Sequence, residues 1–170
     1  MRTPGDLAAL DLRAPHTLWL PDDAATAKLG ALVAPNLKPS DVVYLHGDLG
    51  MGKSSLARGL IRALTKPDQD VPSPTFTLVQ AYDTPGFEIL HLDLYRLKSA
   101  DEVHELGLDE ALPHAVLVIE WPDRLGHLGF DDRLDIVLEQ PNKTNFPDGT
   151  PSGRIARLTP AGRFGERRPR

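Results

Sequence analysis

Apolar positions along this chain switch between two periods, and the switches mark out its elements. Thr17-Leu18-Trp19-Leu20 reads as a short strand. After Pro21, Asp22 is placed to cap a helix whose apolar face is Ala25, Leu29, Leu32 and Val33, and Pro35 ends it. Val42-Val43-Tyr44-Leu45 is a continuous apolar run of strand length, and Leu56, Leu60, Ile61 and Leu64 recur as the stripe of a second helix. An extended segment reaching Tyr82, the turn residues Asp83-Thr84-Pro85-Gly86 and a strand over Phe87 to Leu94 predict a β-hairpin. Ser99-Ala100-Asp101-Glu102 has the form of a capping box opening an acidic helix. Ala115 to Ile119 is apolar throughout, the mark of a strand buried on both faces of a parallel sheet. Alternation over Leu134–Leu138 and Arg154–Leu158 predicts two more strands around a Pro/Gly/Asn-rich loop, 140–153. These elements predict an α/β fold, one domain over residues 17–160 with a central sheet flanked by helices. Residues 1–16 are expected as a loose extension, and 161–170 as a disordered Arg-rich tail.

The stretch between the second strand and second helix carries the chemistry. Gly47-Asp48-Leu49-Gly50-Met51-Gly52-Lys53-Ser54 fits G-x-x-x-x-G-K-[ST] without a gap. A random chain of this length matches that pattern about once in 200, and a strand before and a helix after make chance a poorer account still. Such a loop turns backbone N–H groups toward an anion at the positive end of a helix. Lys53 reaches the β- and γ-phosphates, and the Ser54 hydroxyl is a Mg²⁺ ligand. A nucleoside triphosphate site is therefore expected here.

Composition narrows the setting. With 170 residues the chain can bury a real core. A formal charge of −5 gives no global attraction for nucleic acid or anionic membrane. The absence of cysteine excludes a disulfide framework, thiolate metal sites and thiol catalysis. No apolar run approaches the length that spans a bilayer, and Asp6 and Asp11 occupy the region where a secretion signal needs apolar residues. A cytoplasmic protein without membrane attachment is the expectation.

Four further positions are candidates. Glu120 directly follows the buried strand, where an acid beside a phosphate loop holds Mg²⁺ or its water; an ordinary polar strand end is the alternative. In His91-Leu92-Asp93-Leu94-Tyr95-Arg96, strand alternation puts His91, Asp93 and Tyr95 on one face. Asp93 there either orients the attacking water or is a salt-bridged strand residue, and His91 reads as a structural hydrogen-bonding group. Thr75, in the stiff segment Pro72-Ser73-Pro74-Thr75, either senses the γ-phosphate or makes turn chemistry. Pro141-Asn142-Lys143-Thr144-Asn145 imitates a guanine-reading motif but ends in Asn, which cannot accept two guanine N–H bonds as a carboxylate does. No arginine is evidently placed against a transition state, since Arg96 immediately follows a core strand.

Taken together, G-D-L-G-M-G-K-S-S at 47–55, S-P-T-F-T-L-V at 73–79, H-L-D-L-Y-R-L at 91–97, L-G-L-x-E at 106–110 and V-I-E-W-P at 118–122 resemble the TsaE (YjeE) family. That family is the small ATPase of bacterial tRNA threonylcarbamoyladenosine biosynthesis, and the resemblance implies a single-domain P-loop NTPase fold with a central mixed, largely parallel sheet flanked by helices. The resemblance implies ATP or ADP with Mg²⁺, the partner proteins TsaB and TsaD, and an indirect link to tRNA through that assembly. It implies phosphate contacts from Gly50, Met51, Gly52 and Lys53, Mg²⁺ at Ser54 and Glu120, and Ser55 on the α-phosphate side. Asp93 would be needed for hydrolysis and Trp121 would lie beside the site. Nucleotide contacts near Ala24 and at Gly153-Arg154 are implied as well. Ser54 stands where the family usually has Thr, which keeps the ligating oxygen. Two other readings compete: a small P-loop kinase acting on a metabolite, for which no compact Arg-rich lid is evident, and a nucleotide-sensing interaction module without turnover.

Overall fold

In the computed structural model, which describes residues 1–166, the two most apolar runs become neighbouring central strands. β2 (Val42–His46) and β5 (Ala115–Glu120) pair in parallel, and β6 (Arg133–Glu139) and β4 (Glu88–Asp93) extend the parallel centre on either side. Three antiparallel strands complete the sheet: β1 (His16–Leu20), β7 (Arg154–Ala161) and β3 (Val79–Asp83). The order is β1-β7-β6-β2-β5-β4-β3. The β3–β4 hairpin and the strands expected near 17, 42, 115, 134 and 154 are all present.

Each face of the sheet has its own cover. Val43, Leu45, Val116 and Val118 meet Leu29, Leu56 and Leu60 from α1 (Asp23–Val33) and α2 (Lys53–Leu64). The alternate residues Val42, Tyr44, Leu117 and Ile119 meet Val103 and Leu108 from two one-turn helices, α3 (Asp101–His104) and α4 (Leu108–Ala111). The cap expected for α1 forms, with Asp22 Oδ1 accepting from Ala25 N at 2.8 Å, an interaction worth about 1 kcal/mol. The capping box expected at 99–102 does not. α3 begins after Ala100 with no side-chain cap, and Gly107 in the left-handed region (φ 65°) divides the acidic stretch into two single turns.

Both chain ends depart from expectation. Instead of a loose extension, residues 4–6 form a 3₁₀ turn, Trp19 N donates to Arg2 O at 2.9 Å, and Leu10 and Leu12 are buried in the α1/α2 core. Burying two leucines stabilises by about 1.5–3 kcal/mol each, which outweighs the turn-rich sequence around them. At the other end, Ala161 closes β7 and Phe164 in the following 3₁₀ turn reaches the same core. Arg163 Nε donates to Asp132 Oδ2 at 2.7 Å. Arg167, Arg168 and Arg170 lie outside the described residues. Among the described residues no helix is long and apolar enough to cross a membrane.

α1 and α2 cross on a pair of glycines. A Cβ on Gly30 would stand 2.2 Å from Leu56 O, and one on Gly59 would stand 2.1 Å from Ala27 O. Helix propensity alone favours Ala over Gly by about 1 kcal/mol. At Gly59 the obstructing atom is the backbone of another helix, so overpacking of about 1–3 kcal/mol wins. Gly59→Ala is therefore expected to lower the unfolding midpoint by several degrees. An unchanged or raised midpoint in thermal denaturation would show that the helices separate without cost.

Candidate functional site

The phosphate loop links the end of β2 to the first residue of α2, so the helix N-terminus opens directly behind it. Its glycines are structural requirements. Gly47, Gly50 and Gly52 have φ of 144°, 79° and 98°, values that L side chains rarely adopt. A Cβ on Gly52 would also stand 2.0 Å from the Arg154 guanidinium. That close approach brings β7 up to the loop.

Lys53 is buried, and its ammonium is folded back on the loop. Nζ donates to Gly47 O at 2.5 Å and Asp48 O at 2.9 Å, and lies 4.2 Å from the centre of the Trp121 ring. Burial lowers its pKa from 10.5, against opposing pulls from Glu120, Asp93 and Asp48. The unfolded chain therefore holds the proton more tightly, so charged Lys53 costs stability at neutral pH. That cost fades as pH rises from the folded pKa towards 10.5.

Opposite Lys53 stands a carboxylate cluster set by strand register. Asp93 pairs with Glu120 across β4 and β5, both at the strand ends that face α2. Ser54 Oγ donates to Glu120 Oε1 at 3.1 Å, and His91 Nε2 lies 2.7 Å from Glu120 Oε2. A carboxylate only accepts, so the proton of that bond sits on His91 Nε2. Asp93 receives Ser73 Oγ at 3.2 Å and Tyr95 N at 3.0 Å, and Ser73 Oγ in turn lies 3.0 Å from Thr75 Oγ1.

Around these groups lies a cavity of about 560 Å³. It is lined by Gly50, Gly52, Lys53, Ser54, Ser55, Thr75, Asp93, Glu120, Trp121 and Arg154, ten of the residues expected at a nucleotide site. Ala24 and Met51 do not line it. Asp23, beside Ala24, does, while the Met51 side chain packs against the core. Asp23 Oδ1 holds Arg154 NH1 at 3.1 Å. Arg96, expected only to follow a core strand, also reaches the cavity, as does the anticipated Arg154. Ser73, Tyr95 and Arg96 were not anticipated as cavity residues, although all three fall inside the stretches 73–79 and 91–97 that carry the resemblance. The Asn142-Lys143 stretch is a local turn, with Asn142 Oδ1 accepting from Thr144 N and Asn145 N at 3.0 and 3.1 Å.

The donor set also fits a hard cation. Two oxygen-bearing side chains, Ser54 and Glu120, converge in the cavity, and no group of three or more His, Cys, Asp or Glu that could hold a metal occurs among the described residues. A cation that keeps its waters and takes substrate phosphate oxygens suits so sparse a set, and Mg²⁺ is of that kind.

A strand–loop–helix phosphate cradle with a carboxylate at the adjoining strand end defines the class of P-loop NTPases. The comparisons with known proteins carry this further. The family model "Threonylcarbamoyl adenosine biosynthesis protein TsaE" matches residues 20–146, and the chain belongs to the TsaE family. A tRNA threonylcarbamoyladenosine biosynthesis protein TsaE from Rickettsia felis is 43% identical over 122 residues, covering 72% of this chain and 71% of its own. The protein of the same name from Aquifex aeolicus is 37% identical over 121 residues, covering 71% and 82%. The crystal structure of Bacillus subtilis YdiB superposes with a TM-score of 0.72 at 26% identity over 90% of both chains.

The site makes a direct prediction. Removing the buried ammonium should cost a charge-assisted interaction of about 1.5–3 kcal/mol. Lys53→Ala is thus expected to weaken ATP binding about ten- to a hundred-fold. Calorimetric titration checks this, and unchanged affinity would remove Lys53 from the phosphate site.

Proposed function

We propose that this chain is the ATP-binding and ATP-hydrolysing subunit required for threonylcarbamoyladenosine modification of tRNA beside the anticodon, acting with TsaB and TsaD. The observation that carries the reading is the convergence of the phosphate loop, the Ser54–Glu120 pair and Asp93 on one cavity in a chain of the TsaE family. The relatives' shared name supports the pathway. Contact with tRNA runs through the assembly, as the net charge of −5 leads one to expect.

In the proposed reaction a water oxygen bonds to the γ-phosphorus, and the bond to the β–γ bridging oxygen breaks with its electron pair remaining on ADP. The water's proton leaves with the phosphate product. Lys53 and the amides of residues 50–53 hold the β- and γ-phosphates. Ser54 and Glu120 would hold Mg²⁺, which would neutralise charge on those phosphates. Asp93 is fixed by Ser73 and the Tyr95 amide and has the position to orient the water. Thr75, on the same loop as Ser73, lines the same cavity and serves to sense the γ-phosphate. Ser55 and Arg154 serve the opposite, nucleoside side, and Trp121 covers Lys53.

Two measurements test the reading. Asp93→Ala and Glu120→Ala should bind nucleotide yet lose turnover by about 10²–10⁴, and a folded Asp93→Ala variant with full hydrolysis would take Asp93 out of the mechanism. The wild-type chain should hydrolyse ATP slowly alone and faster with the TsaB–TsaD pair. Fast turnover without partners would indicate a self-sufficient ATPase, and phosphoryl transfer to a small metabolite would indicate a kinase.

A further inference from the structure

Among the described residues three cations line the nucleotide cavity: Lys53, Arg154 and Arg96. Two are already committed. Lys53 is buried on the loop carbonyls, and Arg154 is held by Asp23 at 3.1 Å. Arg96 is exposed and, among the described residues, has no carboxylate partner. Its guanidinium instead lies 4.5 Å from the centre of the Phe76 ring. That ring is itself 84% exposed, so nothing in the core fixes it. A cation on an exposed ring is weakly held, and a polyphosphate attracts an arginine fork far more strongly.

Strand order decides which phosphate Arg96 meets. Arg154 and Asp23 lie on the β7 and α1 side of the phosphate loop, while Asp93, Glu120 and Arg96 lie on the β4 and β5 side. A nucleotide spanning the cavity with its nucleoside toward Arg154 therefore presents its terminal phosphate to Asp93. Arg96 follows Asp93 by three residues, and Asp93 Oδ1 anchors the turn between them through the Tyr95 amide at 3.0 Å. Ser73 bonds Asp93, and Phe76 lies three residues beyond Ser73 on the same loop. The group that positions water and the group that carries spare positive charge are thus tied into one unit.

We propose that Arg96 is a catalytic residue of this chain: its guanidinium leaves the Phe76 ring and neutralises the charge that develops on the γ-phosphoryl oxygens as the bond to ADP breaks. The proposal rests on the hydrolytic reading above. It places the transition-state arginine in this chain, so a partner's contribution to rate is to bring Arg96 off the ring rather than to supply the charge. A charge of this kind is worth about 10³–10⁵ in rate.

The test uses aluminium fluoride, which with ADP and Mg²⁺ imitates the transferring phosphoryl group. Binding of ADP–Mg²⁺ is measured with and without fluoroaluminate, in the presence of the TsaB–TsaD pair, for wild type, Arg96→Ala and Arg96→Lys. Assembly with the pair is measured alongside. Wild type should bind more tightly when fluoroaluminate is added. Arg96→Ala should assemble normally and keep its ADP–Mg²⁺ affinity, but lose about a hundredfold of that gain. Arg96→Lys should recover only part, because it keeps the charge without the planar fork. An Arg96→Ala variant that keeps the full gain, or that fails in assembly instead, overturns the role of Arg96 and leaves the hydrolytic reading standing. Absence of any gain in wild type overturns both.

Discussion

Across β4, β5 and β2, Asp93, Glu120 and Leu45 stand in register, and the chemistry of the site hangs on that alignment. Side chains along a strand alternate between faces, so a slip of one residue in β5 would turn Glu120 away from α2 and toward the α3/α4 side. The register is held by the apolar residues below it. Val116 and Val118 point to the α1/α2 core, and Leu117 and Ile119 to the opposite one. Glu120 continues the first series, and the sheet delivers its carboxylate to Ser54 at the start of α2. The packing that stabilises the domain and the geometry that makes the site are set by one alternation.

The backbone around the cavity carries strain that the core over-determines. Trp121, immediately after Glu120, has φ of 58°, and Leu78, at the end of the loop bearing Ser73 and Thr75, has φ of 64°. Such conformations cost bulky residues about 1–3 kcal/mol each. In return, Trp121 places its ring against Lys53, and the turn closed by Leu78 N on Pro74 O at 2.9 Å keeps the Ser73 loop folded beside Asp93. His91 adds a constraint of another kind. Its Nε2 occupies one oxygen of Glu120, while among the described residues its buried Nδ1 has no partner, so the ring donates to the carboxylate through Nε2.

Much of this was legible in sequence wherever the signal is local. The phosphate loop, its flanking strand and helix, the hairpin and the central strand are each written in a few consecutive residues, and Glu120 and Asp93 follow from their places at strand ends. What escaped depends on separation along the chain or on competition between signals. The pairing of Asp23 with Arg154 joins residues from opposite ends, and Ala24 was expected where its neighbour Asp23 lines the cavity. Arg96 looked like the tail of a strand motif because the chain's turn after Asp93 is invisible to periodicity. Leu10 and Leu12 sit among Pro, Gly and Asp without a helical or strand period, yet a nearby core takes them. Gly107, inside the stretch expected as one acidic helix, instead caps the start of a second single-turn helix with its left-handed backbone.

The order of strands has a consequence for how the protein is made. β1 pairs with β7, and the Asp23–Arg154 contact that closes one wall of the cavity joins the first helix to the last strand. During synthesis, which runs at about 5–20 residues per second, the phosphate loop leaves the ribosome long before Arg154. Until then β1 lacks its neighbour in the sheet, and the Gly52 backbone faces no guanidinium. The nascent chain thus carries an early anion cradle whose β7-side wall arrives only when β7 has been made.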